Sequence, residues 1–237
     1  PQLNVNVILL TPKESYDLQI KSQLSAVLSY SNVNFLSLNP VEFAHETPYE
    51  IFMERDELSK SVRPIEHSSD IFRLLLLWRY GGTYLDLDFI VTSQLDKIYN
   101  YACDDGEGSI VANGLINLDQ KFGKKFAETL MNEQIKNWNG SLWGHNGPLL
   151  LTRVLSNLCN TTNIDKMIAL GNCDGFHVLK KNICYPIPHS FQEYIFTEQH
   201  TDQLLRRITH ETVSVHFWNG LTKDFPVQIH KRSPFMV

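Results

Sequence analysis

The chain has 237 residues, 43% of them apolar, a net charge of −5 and no cluster of basic side chains. This length and apolar content fit one large domain with a sizeable core, and the acidic balance argues against nucleic acid as a partner. The longest continuous apolar run, residues 74–78, is far too short to span a bilayer.

Taken in chain order, "NVNVILL" (residues 4–10) reads as a strand that runs into the turn and helix-start signal "TPKES". A helical stretch around residues 18–28 follows, and then a second strand, "NVNFLSL" (residues 32–38). Strand–helix–strand predicts an α/β protein with a parallel, doubly wound sheet. Residues 41–58 read as a polar helix carrying Pro48.

"SSDIFRLLLLWRYGG" predicts a helix capped by Ser68 or Ser69, with Asp70 in its first turn, ended by Gly81 and Gly82. It is apolar on nearly every side, so it is expected to be buried, with Trp78 and Tyr80 in the core. Asp70 and Arg73 are the exceptions, one turn apart on one face. They form an internal salt bridge, or they line a cavity and hold sugar hydroxyls.

"GGTYLDLDFIV" (residues 81–91) reads as one strand in which Tyr84, Asp86 and Asp88 share a face. The two carboxylates would then sit roughly 7 Å apart. Paired carboxylates on a half-buried strand repel and lose hydration. A solvated strand end is one way out. Binding Mg²⁺ or Mn²⁺ is the other, with phosphates as further ligands.

Residues 109–119 continue as strand with a bend at Gly114, where Asn113 is either a turn residue or a ligand contact. Helices are expected over residues 121–138 and 148–160. "WGHNGP" places Trp143, His145 and Asn146 ahead of Pro148, as a capped helix start or as a functional loop. "HVL" and "CYPIP" read as short extended pieces, and "VSVHFWN" (residues 213–219) as a late strand turning at Asn219 and Gly220. His216 in that strand is a core histidine or a metal ligand.

The four cysteines, Cys103, Cys159, Cys173 and Cys184, form no close CxxC pair, which argues against zinc. Cys159 and Cys173 bracket a polar loop and are expected to bridge. Cys103 and Cys184 are a second bridge or buried thiols. The even cysteine count and the sequons at Asn139 and Asn160 favour a secretory lumen, with Asn160 the better acceptor.

Four motifs in order carry a resemblance over most of the chain: "SDIFRLLLLWRYGGTYLDLDFIV", "NGSLWGHNGPLLLTRV", "YPIP" and "VSVHFWN". Together they resemble the Asp-x-Asp glycosyltransferases of the α1,4-galactosyl- and α1,4-N-acetylglucosaminyltransferase family. The resemblance implies a GT-A type, Rossmann-like nucleotide-sugar fold with a mixed, mainly parallel sheet flanked by helices. It implies one catalytic domain, residues 1–119 holding the nucleotide sugar and 120–237 the acceptor and the rest of the metal site. It also implies Mn²⁺ or Mg²⁺, a UDP-sugar donor, and retaining α1,4 transfer of galactose or N-acetylgalactosamine to a glycolipid or glycan.

Carried over by motif, Asp86, Asp88 and His216 bind the metal, and Asp86 also reaches the ribose. Asp70 and Arg73 contact the donor sugar and serve catalysis with His145 and Asn146. Tyr84, Asn113 and Trp218 line the donor, with the Trp218 indole N–H free for a phosphate. Asn146 stands where the family often carries Gln. The resemblance implies a Golgi lumenal domain attached through an N-terminal anchor upstream of Pro1. Two other functions fit the same residues: a glycan- or UDP-sugar-binding module, and a metal-dependent UDP-sugar hydrolase.

Overall fold

In a computed structural model of the protein, the described residues are 5–9, 27, 29–95, 98–225 and 233. The chain divides into two compact units, residues 1–59 and 60–237.

In the first unit, β1 (Val5–Leu9) and β2 (Val33–Ser37) pair in parallel, Val5 opposite Val33. Both strands of the expected opening are present; the helix expected over residues 18–28 lies almost wholly outside the described residues. The polar helix expected over residues 41–58 is two short ones, α1 (Pro40–Ala44) and α2 (Glu50–Glu54). Asn39 caps α1, its side chain accepting from the Val41 N–H at 3.0 Å.

The second unit opens with α3 (Pro64–Tyr80), then β3 (Gly82–Leu85), β4 (Phe89–Val91), β5 (Tyr101–Asp104) and β6 (Val111–Leu118). It continues with α4 (Phe122–Lys136), α5 (Pro148–Leu158), α6 (Ile164–Leu170), β7 (His177–Leu179) and α7 (Lys181–Cys184). A 3₁₀ turn (His189–Tyr194), α8 (Thr201–Leu205), β8 (Ser214–His216) and α9 (Asn219–Thr222) complete it.

Four strands form a mixed sheet in the order β3-β6-β5-β7, and β4 and β8 form a separate antiparallel ribbon. A sheet that is mainly parallel was expected. Here β6 runs antiparallel to both β3 and β5, and only β7 is parallel to β5. Connection length explains the difference. The 105–110 segment between β5 and β6 permits a hairpin, whereas β7 is reached through α4, α5 and α6, the crossover a parallel pair requires. As a result β3, β5 and β7 end at one edge of the sheet, where β6 begins.

Helix α3 starts four residues before the expected cap, because Pro64 occupies its first turn. Ser68 is interior and donates to the Pro64 carbonyl at 2.6 Å. The helix buries Ile71, Leu74, Leu75 and Leu77 as its apolar pattern predicts, but Tyr80 is 58% exposed and Trp78 half-buried. Strand β6 continues through Gly114, where a bend was expected, and its pairing with β5 shifts register between Ala102 and Asp104. "CYPIP" is not a strand: Cys184 ends α7, and irregular chain follows to Pro188.

Both cysteine pairs are bridged, Cys159 to Cys173 and Cys103 to Cys184. With its cysteines 14 positions apart, the first closes a loop worth about 3 kcal/mol on the chain-entropy model. Asn160 beside it is exposed, while Asn139 is half-buried.

Asp119 caps α4 from three residues before its start. Its Oδ1 accepts from the N–H groups of Lys121 (2.8 Å) and Phe122 (2.7 Å), and its Oδ2 from Asn100 Nδ2 (2.6 Å). Slight burial opposes ionisation, but these donors hold its carboxyl below the usual carboxylate range. A lowered folded-state pKa adds stability above the unfolded value and loses it as pH falls through the folded one. Asp119→Ala should cost about 1 kcal/mol at pH 7. In urea unfolding, that difference from wild type should shrink towards zero at acid pH.

Candidate active site

The edge where β3 ends and β6 begins collects the acidic groups. Asp86 and Asp88 do not share a strand, as the alternation suggested. The chain leaves β3 after Leu85, turns through Asp86, Leu87 and Asp88, and re-enters β4 at Phe89. Leu87 at the tip is 91% exposed. Hydrogen bonds fix the turn: Asp86 N–H donates to the Gly114 carbonyl at 2.8 Å, and Phe217 N–H to the Asp88 carbonyl at 2.9 Å. Pairing of Phe89 with His216 in the β4–β8 ribbon then brings the imidazole alongside.

Asp86, Asp88 and His216 thereby offer three ligand atoms within 4.8 Å of one another. Opposed ligands about 2.1 Å from a Mg²⁺-sized ion lie roughly 4.2 Å apart, so small rotations close the set. Two carboxylates and one imidazole nitrogen suit Mn²⁺ or Mg²⁺ better than a soft metal. His216 Nε2 lies 3.0 Å from Asp88 Oδ1, and Asn219 N–H donates to Asp88 Oδ2 at 2.7 Å. Burial pushes the Asp88 carboxyl up, but the His216 contact and the Asn219 N–H outweigh it and hold the group below its ordinary value. Asp88 is therefore an anion ready for a cation. Buried His216 Nδ1 has no hydrogen-bond partner among the described residues.

Beside this trio lies the Asp70–Arg73 pair, 7% and 5% exposed. Arg73 donates to the Asn113 carbonyl (2.7 Å), the Ser69 carbonyl (3.1 Å) and Ser69 Oγ (2.8 Å). Its Nη2 lies 3.4 Å from Asp70 Oδ1 and 3.6 Å from Asp86 Oδ1. The guanidinium carbon sits 4.6 Å from the centre of the Tyr84 ring, and the Tyr84 hydroxyl donates to Asp86 Oδ1 at 2.6 Å. Asn113 Nδ2 donates to Asp70 Oδ1 at 2.9 Å. Burial raises Asp70 above its ordinary value despite Arg73 and Asn113, and it also pushes Tyr84 upward.

The structure brings together Asp70, Arg73, Tyr84, Asn113, Asp86, Asp88, His216 and Trp218. Trp218 corrects one expectation: its indole N–H donates to the Ile187 carbonyl at 2.9 Å and is not free for a phosphate. Its ring meets that of His216 edge-on at 4.3 Å. Two expected site residues have their polar side-chain atoms bonded to backbone, although Asn146 lines a small cavity with Asp70, Arg73 and Asn113. His145 Nε2 lies 2.9 Å from the Asn137 carbonyl at the end of α4. The Asn146 amide is turned onto the backbone of Asn139.

Sequence reasoning missed Ser69, whose hydroxyl lies 2.9 Å from that of Tyr84 and joins it to Arg73. It also missed Tyr185, whose hydroxyl accepts from Leu115 N–H at 3.1 Å. Gly114 is a third. A Cβ there would lie 2.8 Å from Asp86 Oδ2, 3.1 Å from the Tyr185 hydroxyl and 3.2 Å from the Phe89 ring. Its available signal was a lone glycine inside a strand pattern, which marks close approach as often as a bend.

These features define a mixed α/β protein with a cluster of two carboxylates and an imidazole, able to hold a cation, where β3 ends. Residues 119–237 match the family described as "Alpha 1,4-glycosyltransferase conserved region", and residues 13–104 match "Glycosyltransferase sugar-binding region containing DXD motif". The chain is 31% identical over 190 residues to a lactosylceramide 4-alpha-galactosyltransferase of Pongo pygmaeus, covering 80% of this chain and 84% of that one. It is 30% identical over 220 residues to the mouse protein of that name, covering 88% and 59%, respectively. A human alpha-1,4-N-acetylglucosaminyltransferase is 24% identical over 203 residues, covering 86% and 56%. The chain belongs to the alpha 1,4-glycosyltransferase family. It spans only 59% of the mouse relative's length.

Gly114→Ala should push Asp86 out of the cation trio. In a Mn²⁺ titration of the purified protein, affinity should fall about tenfold, or ~1.4 kcal/mol.

Proposed function

We propose that the protein is a retaining glycosyltransferase that moves galactose or N-acetylgalactosamine from a UDP-sugar, in α1,4 linkage, to the terminal sugar of a glycolipid such as lactosylceramide. The observation that carries this reading is the convergence of Asp86, Asp88 and His216 beside the buried Asp70–Arg73 pair. The relatives' names support the reaction class, and the two matched regions support a GT-A type fold. In it residues 1–119 serve the nucleotide sugar, and 120–237 the acceptor and the rest of the metal site.

Asp86, Asp88 and His216 would hold Mn²⁺ or Mg²⁺. When bound, the ion supplies Lewis-acid neutralisation of charge on the departing diphosphate. Tyr84 and Arg73 orient Asp86 from behind. Asp70, Arg73 and Asn113 form the donor-sugar end. Trp143, 64% exposed on the 139–147 loop, offers an aromatic face to the acceptor. Asp70 is engaged by Asn113 and Arg73, and Asp86 by Tyr84, so neither is placed as a free nucleophile. The acceptor oxygen therefore attacks on the face the diphosphate leaves, and its proton passes to the departing phosphate oxygen.

Two disulfides support an oxidising lumen such as the Golgi. Among the described residues, no helix is long and apolar enough to cross a membrane.

UDP release from a panel of UDP-sugars, measured with and without glycolipid, separates the readings. A transferase needs acceptor, a hydrolase does not, and a binding module releases nothing. Asp88→Asn should lower acceptor-dependent transfer on the order of 10²-fold or more, and chelator should abolish wild-type activity. Full, chelator-insensitive transfer by Asp88→Asn would overturn the metal role. Asp70→Asn should lower turnover per folded molecule; unchanged turnover with lowered stability would reduce the pair to a salt bridge.

A further inference from the structure

The 138–147 loop, which runs from α4 to α5, is held at three points. Asn146 is 1% exposed, and both ends of its amide are spent on Asn139. Oδ1 accepts from Asn139 N–H at 3.0 Å, and Nδ2 donates to the Asn139 carbonyl at 2.7 Å. Gln134 Nε2 donates to the Asn146 carbonyl at 2.6 Å. At the second point the Gly140 carbonyl accepts from Val62 N–H at 2.9 Å and from the Ser61 hydroxyl at 3.2 Å. Ser61 Oγ is itself 2.6 Å from Nδ1 of His67, which is 1% exposed and meets Trp138 edge-on at 5.4 Å.

The third point is Gly147, where the loop presses on the site. A Cβ there would collide with Asp70 Oδ1 and lie 2.6 Å from Asn113 Nδ2. Bare backbone thus walls the carboxyl, and what remains open of Asp70 is set by where this backbone lies.

Resting on the donor-sugar reading of Asp70 and Asn113, we infer that Asn146 and the Ser61–His67 pair are positioning residues. They hold the 138–147 loop so that Gly147 frames Asp70 for the donor sugar, and none of them touches a substrate. On this reading Asn146 acts through the loop and not by touching the acceptor. Two bonds to one backbone residue fix distance and rotation together, which a single bond cannot. The loop's outer face, with Trp143, stays free for other work.

The test separates sugar from nucleotide. Titration of Asn146→Ala with UDP and with UDP-galactose, in Mn²⁺ and without acceptor, should leave UDP affinity within about twofold of wild type. UDP-galactose affinity should fall about tenfold, a difference of ~1.4 kcal/mol. Hydrogen exchange at Asn139 N–H should quicken. Ser61→Ala should shift UDP-galactose affinity in the same direction. Equal losses for both ligands would mean general damage, no loss for either would mean no role, and a change confined to acceptor KM would mean a direct acceptor contact. Each overturns the inference. Should Asn146→Ala fail to fold, Asn146→Asp keeps the shape but loses the donor to the Asn139 carbonyl, and is read the same way. A wild-type protein that binds UDP but no UDP-sugar would refute the donor reading, and the functional half of this inference with it. Asn139 exchange would then still decide whether the clamp exists.

Discussion

Arg73 brings a permanent charge to a position only 5% exposed, and a buried charge persists only where its surroundings answer it. Two Ser69 atoms and the Asn113 carbonyl take three of its five N–H donors, the carboxylates of Asp70 and Asp86 flank it, and the Tyr84 ring covers it. Most groups that define the site are therefore also groups that make this charge tolerable. Removing one partner of such a pair leaves the other uncompensated, a larger loss than the pair's own net contribution. Helix α3, strand β6 and the turn after β3 are locked to one another through a single side chain.

The cation trio depends on a different device. His216 and Asp88 are 128 residues apart in sequence, yet the β4–β8 ribbon fixes their register. Backbone bonds from Phe217 and Asn219 then hold both the carbonyl and the carboxylate of Asp88. Two acidic side chains so close repel, a cost that the contacts of Asp88 with His216 and Asn219 and of Asp86 with Arg73 offset. Rigid preorganisation of this kind spares the site reorganisation when charge develops.

Sequence legibility followed the range of the forces involved. Helix α3, strand β6 and helices α4 and α5 were readable because their apolar periodicity is local. The Asp86–Asp88 turn was not, because Leu87 has the apolar character of a strand position while lying 91% exposed. Pro64 was a readable start signal for α3 that two serines obscured. Antiparallel pairing of β3 with β6 joins segments some thirty residues apart, beyond the reach of any local pattern. The site residues were legible mainly through family resemblance: His216 alone in an apolar strand looks like core. The hydrogen bonds of Asn146 and Trp218 could not be read, since residue type says what can bond but not with what.

One link between the covalent frame and the site follows from position alone. Cys184, bridged to Cys103 at the end of β5, immediately precedes Tyr185. The Tyr185 ring lies 5.4 Å from Phe89, 5.5 Å from His216 and 5.8 Å from Trp218, and its hydroxyl takes the Leu115 N–H. Trp218 in turn is tied to the Ile187 carbonyl. This aromatic stack backs His216, and the bridge anchors it to the sheet that carries the aspartates. The 81-residue span closed by the bridge would otherwise leave that backing to side-chain packing alone. An oxidising compartment therefore bears on this cluster as well as on overall stability, because the bridge ends one residue from the tyrosine that packs against His216.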